Sequence, residues 1–189
     1  MRRIVVVAFD GVQALDVVGP VEVFTRGGEL AGDPYTVEVV GPRAGTVRTS
    51  SGMTWSVTRA LAAVRGPVDT LVVAGGDGTA AALADGPLIA AVARVGARAR
   101  RVTSVCTGAF LLAEAGFLAG RRATTHWDAC ARLARRYPDV DVDPEPIFVR
   151  DGNVATSAGV TAGMDLALAL VEEDHGREVA LATARRLVM

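Results

Sequence analysis

The 189-residue chain is half hydrophobic and 22% charged with a net charge of −1, which is typical of one globular domain. All twenty basic residues are arginine, which excludes chemistry that needs a lysine, such as Schiff-base formation or a P-loop. Near-zero net charge argues against nucleic-acid binding by this segment, because phosphate neutralisation needs clustered basic residues. We expect a cytoplasmic protein, because the sequence lacks a signal peptide and an apolar run of the ~18 residues that span a membrane.

Short β-branched runs alternate with Ala- and Leu-rich segments along the chain, which is the pattern of βα units. Continuous apolar runs suit strands buried on both faces, and they predict strands at residues 4–9, 35–40, 70–73 and 102–105. Helices are predicted at residues 15–25 (interrupted at Gly19 and Pro20), 79–83, 88–95, 108–115, 128–136, 162–173 and 177–187. Hairpins are predicted at residues 46–57 and 147–157. The predicted fold class is α/β, a doubly wound and mostly parallel sheet with helices on both faces, formed by residues 1–189 as one domain.

The sequence places a reactive centre at Cys106, where the strand predicted over residues 102–105 turns into a helix. Small residues follow the cysteine, so we expect a nucleophile elbow at the carboxyl edge of the sheet, where ligands bind in open α/β folds. The helix N-terminus is expected to lower the thiol pKa. The backbone N–H of Thr107 is expected to stabilise a developing anion. A lone cysteine after a strand is more often structural than reactive, so the prediction depends on its neighbours.

A glycine-rich turn at residues 74–78 follows the strand predicted over residues 70–73 and is expected to lie beside Cys106. Gly75 and Gly76 would leave unhindered backbone N–H donors for a ligand. Such turns also bind phosphate, but this one lacks the spacing of a dinucleotide or P-loop motif. We therefore interpret the turn as one wall of a pocket around Cys106.

Two more side chains are candidates for acid–base chemistry. Asp16 lies in an apolar helix start, where it either caps the backbone or reaches Cys106 as a half-buried carboxyl with a raised pKa. His126 follows a short strand-like segment at residues 122–125 and either acts as base or orienter for Cys106 or caps the next helix. Cys130 is interpreted as a packed helix cysteine and His175 as a helix-end residue. The spacing of these residues predicts no metal site and no cofactor.

Several stretches together resemble the PfpI/ThiJ superfamily, and the resemblance covers nearly the whole chain. They are residues 8–24, 74–76, 104–109, 123–127 and 156–165. The resemblance implies a class I glutamine-amidotransferase-like fold and a homodimer. Residues 25–34 and 41–58 are expected to set the size and polarity of the ligand.

Two branches of the superfamily share these motifs. In the N-terminal domain of AraC-type transcriptional regulators, the resemblance implies a small-molecule sensor that is followed by a helix-turn-helix domain, through which alone it would contact DNA. In the isonitrile hydratases, it implies that Cys106 attacks the isocyanide carbon, that Asp16 is the acid and base that also activates water, and that Thr107 is a hydrogen-bonding partner. Residues 165–189 resemble the regulator branch, so we predict a sensing domain, with a hydratase as the alternative. The predicted site residues are Asp16, Gly75, Gly76, Cys106, Thr107 and His126.

Overall fold

The computed structural model describes all 189 residues and contains ten strands and seven helices. The strands are β1 (Arg3–Val7), β2 (Thr36–Val40), β3 (Gly45–Arg48), β4 (Thr54–Val57), β5 (Val68–Val73), β6 (Ala99–Val105), β7 (Arg122–Ala123), β8 (Asp141–Val142), β9 (Phe148–Asp151) and β10 (Val154–Ser157). The helices are α1 (Ala14–Ala31), α2 (Thr79–Ala84), α3 (Gly86–Gly96), α4 (Gly108–Glu114), α5 (Cys130–Arg136), α6 (Ala162–His175) and α7 (Arg177–Leu187). None of these helices is both long enough and apolar enough to span a membrane.

Six strands form the central sheet in the order β2-β1-β5-β6-β10-β9. The first five are mutually parallel, and only the edge strand β9 runs antiparallel to its neighbour β10. The central strands have apolar side chains on both faces, and Ile4, Val5, Leu71 and Val102 are fully buried. Burial on both faces explains why these strands are continuous apolar runs in the sequence. The predicted mostly parallel sheet is confirmed.

Helices cover both faces of the sheet, as the direction of the crossovers requires. From β1 the chain crosses to β2 in one direction along the sheet, and from β5 it crosses to β6 in the opposite direction. Since such crossovers are right-handed, α1 lies on one face and α2 with α3 on the other. The helices α6 and α7 pack against α1, and α4 packs against α2 and α3. The doubly wound arrangement predicted from the alternating pattern is therefore present.

The first helix is longer than its sequence suggests. The sequence predicts a helix over residues 15–25 that is interrupted at Gly19 and Pro20, whereas α1 runs without a break from residue 14 to residue 31. A Cβ at Gly19 would lie 2.7 Å from Cγ of Met164 on α6, so the glycine allows the two helices to approach closely. This packing outweighs the weak helix propensity of glycine and the backbone hydrogen bond that proline cannot donate.

The two hairpins agree with the sequence prediction, whereas β7 and the start of α5 differ from it. Both predicted hairpins are present, as the antiparallel pairs β3 with β4 and β9 with β10. The strand-like segment at residues 122–125 forms only the two-residue strand β7, which pairs with β8. A 3-10 turn at Trp127–Ala129 precedes α5, so that helix begins two residues later than predicted.

The topology fixes the position of the site. Because the crossovers diverge from β1 and β5, the switch point of the sheet lies between the carboxyl ends of these two strands. Asp16 follows β1, Gly75 and Gly76 follow β5, and Cys106 follows β6. Three separate segments of the chain therefore meet at one edge of the sheet.

Candidate functional site at the carboxyl edge of the sheet

Cys106 lies on a sharp turn between β6 and α4. Its φ is 55°, a left-handed conformation that costs a non-glycine residue about 1–3 kcal/mol unless its surroundings hold it. Its backbone N–H donates to the carbonyl of Ser157 at 3.0 Å, and its carbonyl accepts the hydroxyl of Thr125 at 2.8 Å. These two hydrogen bonds hold the turn from the strand side and from the loop after β7. The sharp strand-to-helix turn expected at Cys106 is present, and the cysteine is 7% exposed.

A loop after β10 encloses the thiol, and the sequence reasoning did not single it out as part of the site. Gly159 has a φ of 110°, and a Cβ there would lie 2.6 Å from Cβ of Cys106 and 2.9 Å from its sulfur. The next residue, Val160, also has a positive φ, of 50°. The small residues that follow β10 could have indicated this part of the site, because only glycine at position 159 leaves room for Cys106.

Asp16 occupies the first turn of α1 and is completely buried, whereas the sequence suggested a half-buried carboxyl. One carboxylate oxygen accepts the backbone N–H of Val160 at 2.9 Å, and the other accepts the N–H of Gly75 at 3.2 Å. The carboxylate lies close enough to Cys106 for its negative charge to raise the pKa of the thiol. Of the two interpretations of Asp16, the structure therefore favours proximity to the thiol, and the two N–H groups that donate to its carboxylate come from distant loops.

Burial decides the protonation of this pair. Burial raises the pKa of Asp16, although the N–H groups of Val160 and Gly75 and the thiol oppose the shift. Burial, together with the negative charge of Asp16, raises the pKa of Cys106 from its ordinary 9.0 to about 12. The expected lowering of the thiol pKa by the helix N-terminus is wrong. The N–H and hydroxyl of Thr107 do favour the thiolate, but burial and the carboxylate outweigh them.

The glycine-rich turn after β5 lies against Cys106, but its N–H groups are already bound. Gly75 donates to Asp16, and Gly76 donates to the hydroxyl oxygen of Thr107 at 2.9 Å. A Cβ at Gly75 would lie 2.5 Å from the backbone nitrogen of Thr107, so the turn needs glycine for close approach. The turn therefore positions the side chains of the site and does not offer these two N–H groups to a ligand.

Thr107 is held by a second threonine. Its hydroxyl lies 2.7 Å from the hydroxyl of Thr79, the first residue of α2, which in turn donates to the carbonyl of Gly76 at 2.7 Å. With that proton directed to Gly76, the Thr79 oxygen accepts the proton of Thr107. The Thr107 hydroxyl also lies 3.3 Å from the carbonyl of Gly76, which is a second acceptor for its proton. Thr79 was not predicted from the sequence.

His126 faces the same pocket but touches neither Cys106 nor Asp16 through a hydrogen bond. Its Nδ1 lies 3.2 Å from a carboxylate oxygen of Asp128. Its side chain does not cap the turn that follows, so the capping interpretation has no hydrogen bond either. Cys130 is buried and donates weakly to the carbonyl of His126, as expected for a packed cysteine.

A cavity of about 580 Å³ opens above the thiol. Its walls come from the elbow, the glycine-rich turn, α2 and the region around α5. They comprise Gln13, Ser50, Gly76, Asp77, Thr79, Ala80, Leu83, Cys106, Thr107, Phe110, His126, Asp128, Arg132, Arg136 and Val160. Of the two segments expected to set ligand size and polarity, only residues 41–58 contribute, through Ser50 alone. Residues 25–31 instead complete α1.

Comparison with known proteins gives relatives that match most of this chain. The chain is 38% identical to an isonitrile hydratase from Pseudomonas putida over 175 residues, which is 91% of this chain and 72% of the hydratase. It is 32% identical over 179 residues to the HTH-type transcriptional regulator CdhR from Pseudomonas aeruginosa. That match covers 95% of this chain but 52% of the regulator, so the chain spans about half of CdhR.

Solved structures give the same grouping. A ThiJ/PfpI family protein from Pseudomonas syringae superimposes with a TM-score of 0.87 and 32% sequence identity. The superposition covers 98% of this chain and 74% of that protein. Residues 2–173 match the DJ-1/PfpI family, and the chain is therefore a member of that family.

Proposed function

We propose that this chain is the small-molecule-sensing domain of an AraC-type transcriptional regulator, with its ligand site in the cavity above Cys106. The similarity to CdhR over 95% of the chain carries this proposal. A volume of about 580 Å³ supports it, since pockets of roughly 300–1,000 Å³ bind small molecules. In such a regulator, DNA contact belongs to a separate helix-turn-helix domain.

The resting state of the thiol also supports sensing. With a pKa of about 12, only on the order of one Cys106 in 10⁵ is a thiolate at pH 7. A protonated thiol is a weak nucleophile, but it can line a site in which a ligand binds reversibly without forming a bond to the sulfur. Reactivity in this pocket therefore requires that Asp16 accept the thiol proton during attack.

Isonitrile hydration is the second candidate, favoured by 38% identity to the hydratase over 91% of the chain. In this reaction the sulfur of Cys106 bonds to the isocyanide carbon while Asp16 moves the thiol proton to that carbon, giving a thioimidate. Water then adds to the same carbon, and the C–S bond breaks to release an N-substituted formamide and the free thiol. The carboxylate of Asp16, which is close enough to the thiol to raise its pKa, would accept and return this proton.

Two measurements on the purified protein separate these functions. Incubation with cyclohexyl isocyanide is followed by chromatography for the formamide, with Cys106→Ala as the control. The sensing proposal expects no turnover beyond one equivalent, and sustained conversion that disappears in Cys106→Ala overturns it. A thermal-shift screen of small metabolites then identifies compounds that raise the Tm and are recovered chemically unchanged.

We also propose that the protein is a cytoplasmic homodimer, the commonest assembly of soluble oligomers. Leu15 and Val18 on α1 are 36% and 43% exposed, and apolar side chains exposed on one helix suit contact with a second copy. Light scattering at micromolar concentration tests the assembly. The mass of one chain would refute it, and Val18→Glu is expected to lower the dimer population.

A further inference from the structure

One cation in the cavity has no protein partner. Arg132 on α5 lines the cavity and is exposed, and its guanidinium forms no hydrogen bond or ion pair with any other residue. The other arginine of the cavity, Arg136, is bound to Glu114 at 3.3 Å and to the hydroxyl of Tyr137. The two arginines therefore differ in what they can offer to a ligand.

Two carboxylates line the same cavity as Arg132, but neither forms an ion pair with it. Asp128 lies four residues earlier, in the 3-10 turn that precedes α5, and is the acidic residue nearest to Arg132 in the sequence. Its carboxylate instead lies beside the ring of His126, at 3.2 Å. The only other carboxylate of the cavity, on Asp77, forms no hydrogen bond with Arg132.

The guanidinium is held in place without using its N–H groups. Its Cζ lies 5.0 Å from the centre of the Phe110 ring, a cation–π distance, and Phe110 is itself 2% exposed. A guanidinium has five N–H donors in a plane that matches the two oxygens of a carboxylate. Stacking on an aromatic ring restrains the group while these donors remain free. Phe110 follows Cys106 by four residues, so the same elbow that carries the thiol carries this support.

We propose that Arg132 is the anion-recognition residue of the cavity and that the physiological ligand carries a carboxylate. The proposal rests on the small-molecule site described above and names the class of its ligand. Cys106 lines the same cavity as Arg132, so a ligand bound there through its carboxylate shares the cavity with the thiol. His126 and Asp77 then lie along the cavity walls beside the ligand.

A pair of thiol reagents of nearly equal size tests this charge preference. Iodoacetate is a carboxylate and iodoacetamide its neutral counterpart, and each forms a C–S bond with Cys106 while iodide leaves. Rates at Cys106 are measured by peptide mass at pH 8 and low salt. Arg132→Gln is expected to lower the iodoacetate rate about fivefold and leave the iodoacetamide rate unchanged, since one charge at the mouth of the cavity is removed. Asp77→Asn is the matched control, because it removes a charge of opposite sign from the same cavity. In this variant, the ratio of the iodoacetate rate to the iodoacetamide rate should not fall.

An unchanged ratio in Arg132→Gln, or an equal fall of both rates, overturns the proposal. A second measurement needs no thiol reactivity. In Cys106→Ala, the Nε–H NMR signal of Arg132, assigned by its absence in Arg132→Gln, should move with butyrate and stay with butyramide. Failure of that shift also refutes carboxylate binding. The isonitrile assay is independent of both measurements, so failure of the ligand class and failure of the sensing function are distinguishable.

Discussion

The Cys106 thiol should make the stability of this protein depend on pH above 9. Burial and the charge of Asp16 raise the pKa of the thiol from its ordinary 9.0 to about 12 in the folded protein. In the unfolded chain the thiol ionises near its ordinary value. The contribution of the neutral thiol is therefore fully present below pH 9 and is lost as the pH rises toward 12.

The size of this effect follows from the gap between the two pKa values. One pKa unit corresponds to about 1.4 kcal/mol, so the thiol should cost about 2 kcal/mol of stability by pH 10.5 and about 4 kcal/mol by pH 12. A loss of this size is measurable against a typical total of roughly 5–15 kcal/mol. Urea unfolding of the wild type and of Cys106→Ala at pH 8.0, 9.5 and 10.5 gives the difference directly.

The comparison cancels the other groups that titrate in this range. Burial raises the pKa of Tyr137 to about 12, and burial with Asp174 raises that of Tyr35, but both tyrosines are present in both proteins. Cys130→Ala is the matched control, since it removes the other buried cysteine and keeps the Cys106–Asp16 pair. A stability difference between the wild type and Cys106→Ala that does not change from pH 8.0 to 10.5 would refute the reasoning.

Three more substitutions test the construction of the site. Asp16→Asn should lower the pKa of Cys106 below 12 but not below 9.0, because burial is the larger cause of the shift and remains in the variant. The pH dependence of alkylation by iodoacetamide measures this pKa. An unchanged pH profile would contradict the role of the carboxylate. Gly159→Ala should destabilise the fold by about 2 kcal/mol more than Gly45→Ala in urea unfolding, since both positions have positive φ but only Gly159 has a neighbour within 4 Å; equal losses would exclude the clash. Thr79→Val should cost about 1 kcal/mol of stability through its two lost hydrogen bonds, and Thr79→Ser should restore most of it; a Ser variant as unstable as Val would show that the methyl group matters instead.

The sequence predicted the elements that depend on local pattern and strand order. Continuous apolar runs identify β1, β5 and β6, and their parallel arrangement brings the residues after each strand to one edge. This pattern is sufficient to place Cys106 and Asp16 at the same edge. The antiparallel return of β9 and β10 was also predicted, but not that the turn after β10 reaches Asp16. Val160 contributes a backbone N–H, which no side-chain pattern reveals.

The direction of the thiol pKa was wrong because a local rule was applied to a site that is governed by tertiary contacts. A helix N-terminus favours a thiolate through its first N–H groups, and the N–H of Thr107 does so here. The cysteine, however, is 7% exposed and lies beside the buried carboxylate of Asp16, which precedes it by 90 residues in the sequence. The sequence does not reveal how deeply Cys106 is buried or how strongly Asp16 affects the pKa of its thiol. The same holds for Gly76, whose N–H was expected to be free and is bound by Thr107.

The anchoring of Asp16 explains how one site can serve either of the two functions. Its two oxygens accept N–H groups from the loops after β5 and β10, so the carboxylate cannot turn away from the thiol without leaving a buried donor unpaired, at a cost of about 1–3 kcal/mol. The two loops therefore hold a fixed carboxylate beside the thiol, where it is placed to accept the thiol proton. Val160 lines the cavity and lies two residues before α6, so the loop that anchors Asp16 also faces the cavity. A hydratase would use this carboxylate to move the thiol proton, whereas a sensor would need only the cavity beside the thiol.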